Sequence, residues 1–329
     1  MISDRPLDSR ALTAQDAVNA VRAAAGWARL DRLSLIRVKG PQRVKFLHNL
    51  LSNDIASLGA GASRQAALMN LKGQQVAWMT VMAESDALVC ELPAAVRDVV
   101  VDTFVHYKVG APVRFEKSET RAFGVFGAGA VASLRELGLA SPLPDDHSFA
   151  NGEIGGRKAL VSRSQSMPAN GLSIHVALDD AEFVATSLRE RLGDELAPGI
   201  VDTLRVEEGI PWHGIDVAEE NLLHETGQLA VYHSPSKGCY LGQEVVARLE
   251  GRGGNVNKRL VGFRGAEPMR AGDEVRADDK VVGRITTAGE SPEFGPIAMG
   301  YVHRSHAEPG STVVLRDRAV TVAPLPFRS

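Results

Sequence analysis

The spacing of apolar residues along the chain predicts alternating short helices and strands. The helical period is clearest over residues 95–107, where one face is formed by Val96, Val99, Val100, Phe104 and Tyr107. Further helices are predicted at 14–25, 41–52, 129–138, 180–193, 200–208 and 243–249. Strands are predicted at 33–38, 66–69, 76–82, 87–92, 113–116, 122–125, 158–161 and 172–177. This mixture favours an α+β fold up to about residue 250.

The pattern changes after the glycine-rich run at 251–254, which we take as a domain boundary. Short alternating segments then follow, separated by turn residues. They predict strands at 259–263, 280–287, 297–302, 312–315 and 319–323. A small all-β barrel or sandwich with its own core is therefore expected at the C-terminal end.

Composition narrows the possible functions. The 329 residues suffice for two or three domains, and 44% apolar with 23% charged residues is ordinary for a globular protein. A net charge of −3 gives no support to direct nucleic-acid binding. No apolar run reaches membrane-spanning length and the first residues do not resemble a signal peptide, so we expect a cytoplasmic protein without a membrane segment. The two cysteines, Cys90 and Cys239, include no Cys-x-x-Cys pair, and no metal site is predicted.

The two cysteines have different surroundings. Cys90 falls within an apolar predicted strand and is expected to be a buried structural thiol. Cys239 follows Lys237 and has Gly238 and Gly242 close by, so we expect it on a tight turn before a helix. Both the cation and the helix N-terminus would favour the thiolate, whereas the alternative is a small buried hydrophobe. Glu244 opposes the thiolate unless it caps the helix.

The sequence Lys-Gly-Cys-Tyr-x-Gly-Gln-Glu at 237–244 resembles the signature of the YgfZ family. These folate-binding proteins are relatives of the glycine-cleavage T-protein and act in iron–sulfur cluster assembly or repair. The matching residues are Lys237, Gly238, Cys239, Tyr240, Gly242, Gln243 and Glu244, followed by Arg248. Weaker similarities occur in the expected order at 38–54, 69–73, 204–211, 258–260, 287–301 and 326–327.

The resemblance implies a T-protein-like folate-binding fold of two intertwined α+β subdomains and a C-terminal β-barrel. The implied limits are an N-terminal extension at 1–26, a folate-binding region at 27–250 divided near 117, and a barrel at 255–329. Tetrahydrofolate or a derivative would lie in a central cleft against Asn70, Arg205 and Glu225. From the residues alone, Arg205 could instead form a helix-surface ion pair with Glu208.

One departure from the family pattern bears on activity. Ala77 and Trp78 stand where aminomethyl-transferring T-proteins have paired aspartates, so aminomethyl transfer is not expected. Three functions stay open: a folate-binding accessory factor for iron–sulfur proteins that indirectly supports tRNA modification, a folate-dependent one-carbon transferase, and a non-catalytic folate-binding module. In the first, Cys239 would be a redox thiol or one ligand of a shared cluster, with iron–sulfur client or assembly proteins as partners. The chain is expected to act as a monomer.

Overall fold

The computed structural model describes residues 13–140 and 147–327. Within them, helices α1 to α8 span Ala14–Ala23, Arg43–Leu50, Arg97–Tyr107, Ala130–Glu136, Ala181–Leu192, Pro198–Glu207, Leu229–Tyr232 and Gln243–Glu250. None of these helices is long and apolar enough to cross a membrane. The sequence also predicts a loop rich in proline and aspartate at 141–146 and a loose segment from residue 1 to about 13, and this loop and almost all of that segment lie outside the described residues.

The strands confirm the α+β and barrel architecture. In chain order, β1 to β10 span Gly26–Arg29, Leu33–Lys39, Ser63–Met69, Gln75–Ala83, Ala87–Pro93, Arg114–Ser118, Thr120–Phe126, Ser148–Ile154, Arg157–Arg163 and Leu172–Ala177. Strands β11 to β16 span Lys258–Arg264, Glu274–Ala277, Lys280–Ser291, Gly295–His303, Thr312–Leu315 and Arg318–Ala323. Strands β1, β8 and β12 are absent from the sequence prediction, because β1 and β12 have only four residues each and β8 carries few apolar residues in alternation.

Two five-stranded antiparallel sheets form the N-terminal part. The first has the order β3-β4-β5-β2-β6 and the second the order β1-β7-β10-β9-β8. Strand β1 precedes β2 in the chain but pairs with β7 in the second sheet. The first strand of the chain therefore belongs to the second sheet, and the strands of the first sheet follow it in the sequence. This arrangement confirms the expectation of two intertwined subdomains.

Helices cover one face of each sheet, and the other faces look toward each other. Helices α2 and α3 pack on the first sheet and α4 and α5 on the second, each over a separate apolar core. Cys90 is fully buried in the first of these cores, and burial raises its pKa to about 12. A small cluster that includes Leu35 and Leu160 joins the two inner faces. The inner faces therefore define the space in which a ligand could lie.

The last six strands close into a barrel in the order β11-β14-β13-β12-β15-β16. The barrel has its own apolar core, and helix α6 docks against its strand β13. Helix α1 falls within the predicted N-terminal extension, yet its buried face packs with α6 in a further core. One face assignment was wrong: Val99 is 54% exposed, whereas Val100 and Phe104 of α3 are buried in the core and Tyr107 packs against it while partly buried.

Candidate functional site

A cavity of about 40 Å³ lies against the inner face of the first sheet, and we call it the central cavity. Its lining residues are Arg32, Leu33, Trp78, Met79, Thr80, Glu91, Leu92, Pro93, Ser166, Met167, Pro211, Trp212, His213 and Tyr232. A buried water needs roughly 10–15 Å³ of cavity volume, so this cavity has room for about three waters. It combines aromatic walls with a few convergent polar groups, the usual make-up of a small-molecule site.

Trp78 forms one wall of this cavity. Its ring stacks on Tyr232 with the centroids 4.1 Å apart, and its Nε1 donates to Gln75 Oε1 at 2.8 Å. Side chains alternate along a strand, so Trp78 faces the cavity while Ala77 faces the core under α2 and α3. Of the two positions where the family pattern has aspartates, only position 78 is therefore part of the cavity, and an indole occupies it.

The cavity nevertheless contains one carboxylate, Glu91 on β5, which is only 4% exposed. Its Oε2 accepts hydrogen bonds from Ser173 Oγ at 2.6 Å and from His175 Nε2 at 2.7 Å, both on the second sheet. Burial alone would raise the pKa of the Glu91 carboxyl, but these bonds and the charge of Arg32 hold it below its ordinary value. Glu91 is therefore an ionised group at neutral pH that links the two sheets.

Arg32 and His213 complete the polar lining. The Arg32 guanidinium donates to the His213 carbonyl at 3.0 Å and stacks over Trp212. Burial and the charge of Arg205 lower its pKa to about 10. His213 Nε2 lies 3.3 Å from Gln75 O, and burial lowers the His213 pKa, so the ring is neutral with its hydrogen on Nε2. The buried Nδ1 then accepts from no protein group among the described residues.

The lining groups have the chemistry that the polar edge of a pterin ring requires, but the cavity is too small for the ring. A carboxylate and a neutral imidazole nitrogen are acceptors for ring N–H and amino groups, and the aromatic faces suit a flat ring. Sites for such ligands measure about 300–1,000 Å³, far above the 40 Å³ found here. The ring therefore does not fit while Trp78 is stacked on Tyr232.

The stretch around Cys239 packs against the turn between β3 and β4. Gly242 has φ +81° and precedes α8, and a Cβ there would come within 2.5 Å of Asn70 O. Gly73, on the same turn, would likewise meet the side chain of Val245. Glycine is thus required at both contacts. The family's cysteine stretch and its β3–β4 turn form one unit in space.

Cys239 itself is exposed. It does not lie on a tight turn, because residues 238–240 are irregular and the turns fall on either side, and this part of the prediction was wrong. Gln243 Nε2 lies 3.8 Å from Cys239 Sγ, while Gln243 Oε1 accepts from Tyr240 N. Helix α8 begins at Gln243, as predicted, but Glu244 is exposed and no side chain caps the helix.

The ammonium group of Lys237 contacts the end of helix α2 and the ring of Tyr240. Its Nζ donates to the carbonyl oxygens of His48 and Leu51, where α2 ends, and lies 4.8 Å from the centre of the Tyr240 ring. Burial lowers the Lys237 pKa to about 8, so the group is largely protonated at neutral pH. Lys237 therefore fastens the cysteine stretch to α2. Gly238 and Arg248 are exposed, the latter in the last turn of α8.

The three predicted folate contacts do not converge on the central cavity. Arg205 is 0% exposed and donates to Asp202, Asp216 and Thr287, so it joins α6 to β13 and is not open to a ligand. It also does not pair with Glu208, the alternative from the sequence. Its role as a folate contact is therefore corrected to a structural one.

Asn70 and Glu225 are also engaged locally. Asn70 closes the β3–β4 turn, because its Oδ1 accepts from Lys72 N and Gln74 N. Glu225 is buried, and its Oε2 accepts from Leu222 N at 3.1 Å and lies 3.7 Å from Lys258 Nζ of the barrel. Neither side chain lines the central cavity.

Comparison with known proteins identifies the class of protein that carries this fold. Residues 8–232 match the GCVT N-terminal domain, and residues 258–327 match the glycine cleavage T-protein C-terminal barrel domain. The chain belongs to the glycine-cleavage T-protein family. That family uses tetrahydrofolate, which confirms the cofactor at the level of the family.

Individual relatives agree with this assignment. An aminomethyltransferase of Streptomyces avermitilis is 30% identical over 90% of this chain and 82% of its own length. One from Saccharopolyspora erythraea is 26% identical over 94% of this chain and 88% of its own length. The crystal structure of the glycine cleavage system aminomethyltransferase T from Bartonella henselae superposes with a TM-score of 0.85 at 23% identity, covering 96% of this chain and 90% of that one. This likeness confirms the fold.

Sequence reasoning missed the polar residues of the central cavity. Arg32, Glu91 and His213 come from three distant parts of the chain, and none belongs to a motif. One signal was available: Glu91 is a lone acid among apolar residues of a predicted strand, where a charge is costly unless it is paired or used.

Among the residues that the structure describes, no group of three or more His, Cys, Asp or Glu side chains could hold a metal ion.

Proposed function

We propose that this protein is a folate-binding accessory factor of the YgfZ type, which maintains iron–sulfur proteins and uses Cys239 as its reactive thiol. The observation that carries the proposal is a combination of two features: a tryptophan replaces a family carboxylate at position 78, and the cysteine of the family stretch is exposed. Trp78 lines the central cavity at a position where transferases of this family have a carboxylate, while Cys239 is exposed to solvent on a stretch held by Gly242 and Lys237.

An exposed thiol next to a fixed cation can act as a redox thiol or as one ligand of a cluster shared with another protein. A cluster normally takes four thiolates, so a single Cys239 requires that a client supplies the others. Iron–sulfur client or assembly proteins are therefore the proposed partners, and the proposed location is the cytoplasm.

Complementation tests this function. The wild-type chain should restore iron–sulfur enzyme activity to a strain that lacks its own YgfZ-like protein, and Cys239→Ala should not. Cys90→Ala is the matched control and should restore activity, provided both variants accumulate to wild-type levels. Equal rescue by Cys239→Ala would contradict the role of the thiol.

A second candidate is folate-dependent aminomethyl transfer, and two observations favour it. The similar curated proteins are named aminomethyltransferases. In addition, Glu91 provides an ionised carboxylate inside the central cavity, which could orient an amine although position 78 is a tryptophan. Turnover of an aminomethyl donor with tetrahydrofolate, abolished by Glu91→Gln, would establish this second function. No turnover above the protein-free rate would exclude it.

A further inference from the structure

A cluster of titratable side chains lies beside the cysteine stretch (residues 237–244) and outside the central cavity. His224 lies in a short helical turn before α7, His233 directly follows α7, and Glu250 ends α8. His233 Nδ1 lies 3.8 Å from Glu250 Oε1, and the ring centroids of His233 and Tyr240 are 5.8 Å apart. The cluster therefore connects the end of α8 with the cysteine stretch.

Neither imidazole of this cluster is arranged to carry a charge. Both ring nitrogens of His224 are buried and make no hydrogen bond to any described residue. His233 is 8% exposed, and its separation of 3.8 Å from Glu250 is too long for a hydrogen bond. A buried imidazolium without hydrogen-bond partners is costly, so the packed cluster favours two neutral rings.

The charges that face the two rings do not balance two imidazolium ions. Glu250 faces both rings, while His224 and Lys237 also face His233. One carboxylate can offset one imidazolium, but a second imidazolium would be repelled by the first and by the Lys237 ammonium. Burial is the largest influence and lowers the pKa of both histidines below the ordinary value of 6.5. The cluster therefore contributes its full stability above pH 6.5 and loses it as the pH falls.

Helix α8 has few apolar contacts that would hold it in place without this cluster. Val246 is its only buried residue. Gly242 precedes the helix with φ +81°, and Gly253 and Gly254 follow it with φ +74° and +69°, angles that cost glycine little. Segments with few buried contacts are the first to open locally, so the packing of α8 depends in part on the histidine cluster.

We propose that His224, His233 and Glu250 form an acid-sensitive latch, which holds α8 and the cysteine stretch in place at neutral pH and releases them in acid. When both rings are protonated, their repulsion and their need for hydration favour an arrangement in which they reach water. Tyr240 then loses its packing on His233, and Cys239 leaves its place beside Gln243. The consequence for Cys239 rests on its proposed role as the reactive thiol, whereas the latch itself does not.

Hydrogen–deuterium exchange of the full chain at about pH 7.5 and about pH 5.5 tests the latch. Protection factors, which correct for the intrinsic pH dependence of amide exchange, are compared for α8 and for the reference helix α5. A histidine with a pKa of roughly 6.5 in the open state can lower the protection of α8 at most about 11-fold at the lower pH, and two histidines at most about 100-fold. The wild type should show a decrease of about 3- to 100-fold in α8 and a smaller one in α5.

Variants identify the groups that titrate. His224→Phe and His233→Phe each remove one titrating ring and keep an aromatic side chain, and the double variant should bring the pH response of α8 below about threefold. Glu250→Gln removes the balancing carboxylate and should raise the pH at which protection falls. His106→Phe is the matched control, since His106 is exposed on α3, and should leave the response of α8 unchanged.

Equal protection of α8 at the two pH values in the wild type would refute the latch, and so would a full pH response in the double variant. Equal decreases in α8 and α5 would show general acid destabilisation and would contradict a local latch. His224→Phe breaks no hydrogen bond within the described chain, so its melting temperature at neutral pH should equal or exceed that of the wild type, which separates lost titration from lost folding. Equal complementation by Cys239→Ala would overturn the role of the thiol and leave the exchange result standing, so the two failures are distinguishable.

Discussion

The reassignment of Arg205 leads to a quantitative prediction about stability. Its guanidinium donates to Asp202 at 2.8 Å and also to Asp216 and Thr287, and it is completely buried. These bonds connect α6, the loop after it and strand β13 of the barrel. We expect Arg205→Met to preserve much of the side-chain volume while removing every one of them.

The size of the stability loss in Arg205→Met follows from Asp216, the partner that is left without its cation. The Asp216 side chain is 0% exposed, so without Arg205 it is a buried charge with only neutral donors, Trp212 N and the hydroxyls of Thr286 and Thr287. Breaking one side of such a pair costs about 3–5 kcal/mol. Since native proteins are stable by roughly 5–15 kcal/mol, the loss should be large.

Urea unfolding followed by circular dichroism measures this loss. Arg205→Met should lower the free energy of unfolding by about 3–5 kcal/mol, and adding Asp216→Asn should recover part of it because no buried charge then remains. Arg29→Met is the matched control, since Arg29 pairs with Glu182 at the surface, and should cost less than about 1 kcal/mol. A loss below about 1 kcal/mol in Arg205→Met, accompanied by weaker folate binding, would refute the structural role and restore the ligand role.

Three further predictions concern the cysteine stretch and the cavity carboxylate. Cys239 should react with iodoacetamide in the native protein much faster than the buried Cys90, and labelling of Cys239 only after denaturation would contradict its exposure. Gly242→Ala should destabilise the protein by about 1–3 kcal/mol and increase proteolysis after residue 236, because its Cβ would meet Asn70 O; unchanged stability and cleavage would contradict that contact. The Glu91 pKa is depressed from 4.5 in the folded state, so its contribution is present above that pH and is lost as the pH falls below it. The difference in unfolding free energy between wild type and Glu91→Gln should therefore shrink below pH 4.5, and a constant difference would contradict the ionised state.

Much of the architecture could be predicted because it depends on local patterns. Strand β10 was predicted with its observed limits, and α8 begins at the predicted residue. Cys90 is buried as expected, because a thiol within an apolar strand of a central sheet has no route to solvent. These features need only the periodicity of one segment.

The site could not be predicted in the same way, because it depends on pairing between distant segments. Arg205 appears in the sequence three residues from Glu208, yet its buried partner is Asp216, which the loop after α6 brings back to it. The registers of three neighbouring strands likewise bring Gln65, Thr80 and Glu91 side by side on one face of the first sheet, although these residues are distant in the sequence. The family resemblance implied folate contacts at Asn70, Arg205 and Glu225. In the structure these residues instead close a turn or connect the N-terminal part to the barrel.

The most direct test of the account is the binding of a reduced folate in the central cavity, measured by calorimetry with 5-formyltetrahydrofolate on the wild type and on Trp78→Ala. Both should bind. Trp78→Ala should bind about 2- to 13-fold more tightly, because an aromatic pair worth roughly 0.5–1.5 kcal/mol no longer has to separate from Tyr232. The absence of heat from both proteins at millimolar ligand would contradict folate binding, and weaker binding by Trp78→Ala would contradict the displacement of Trp78.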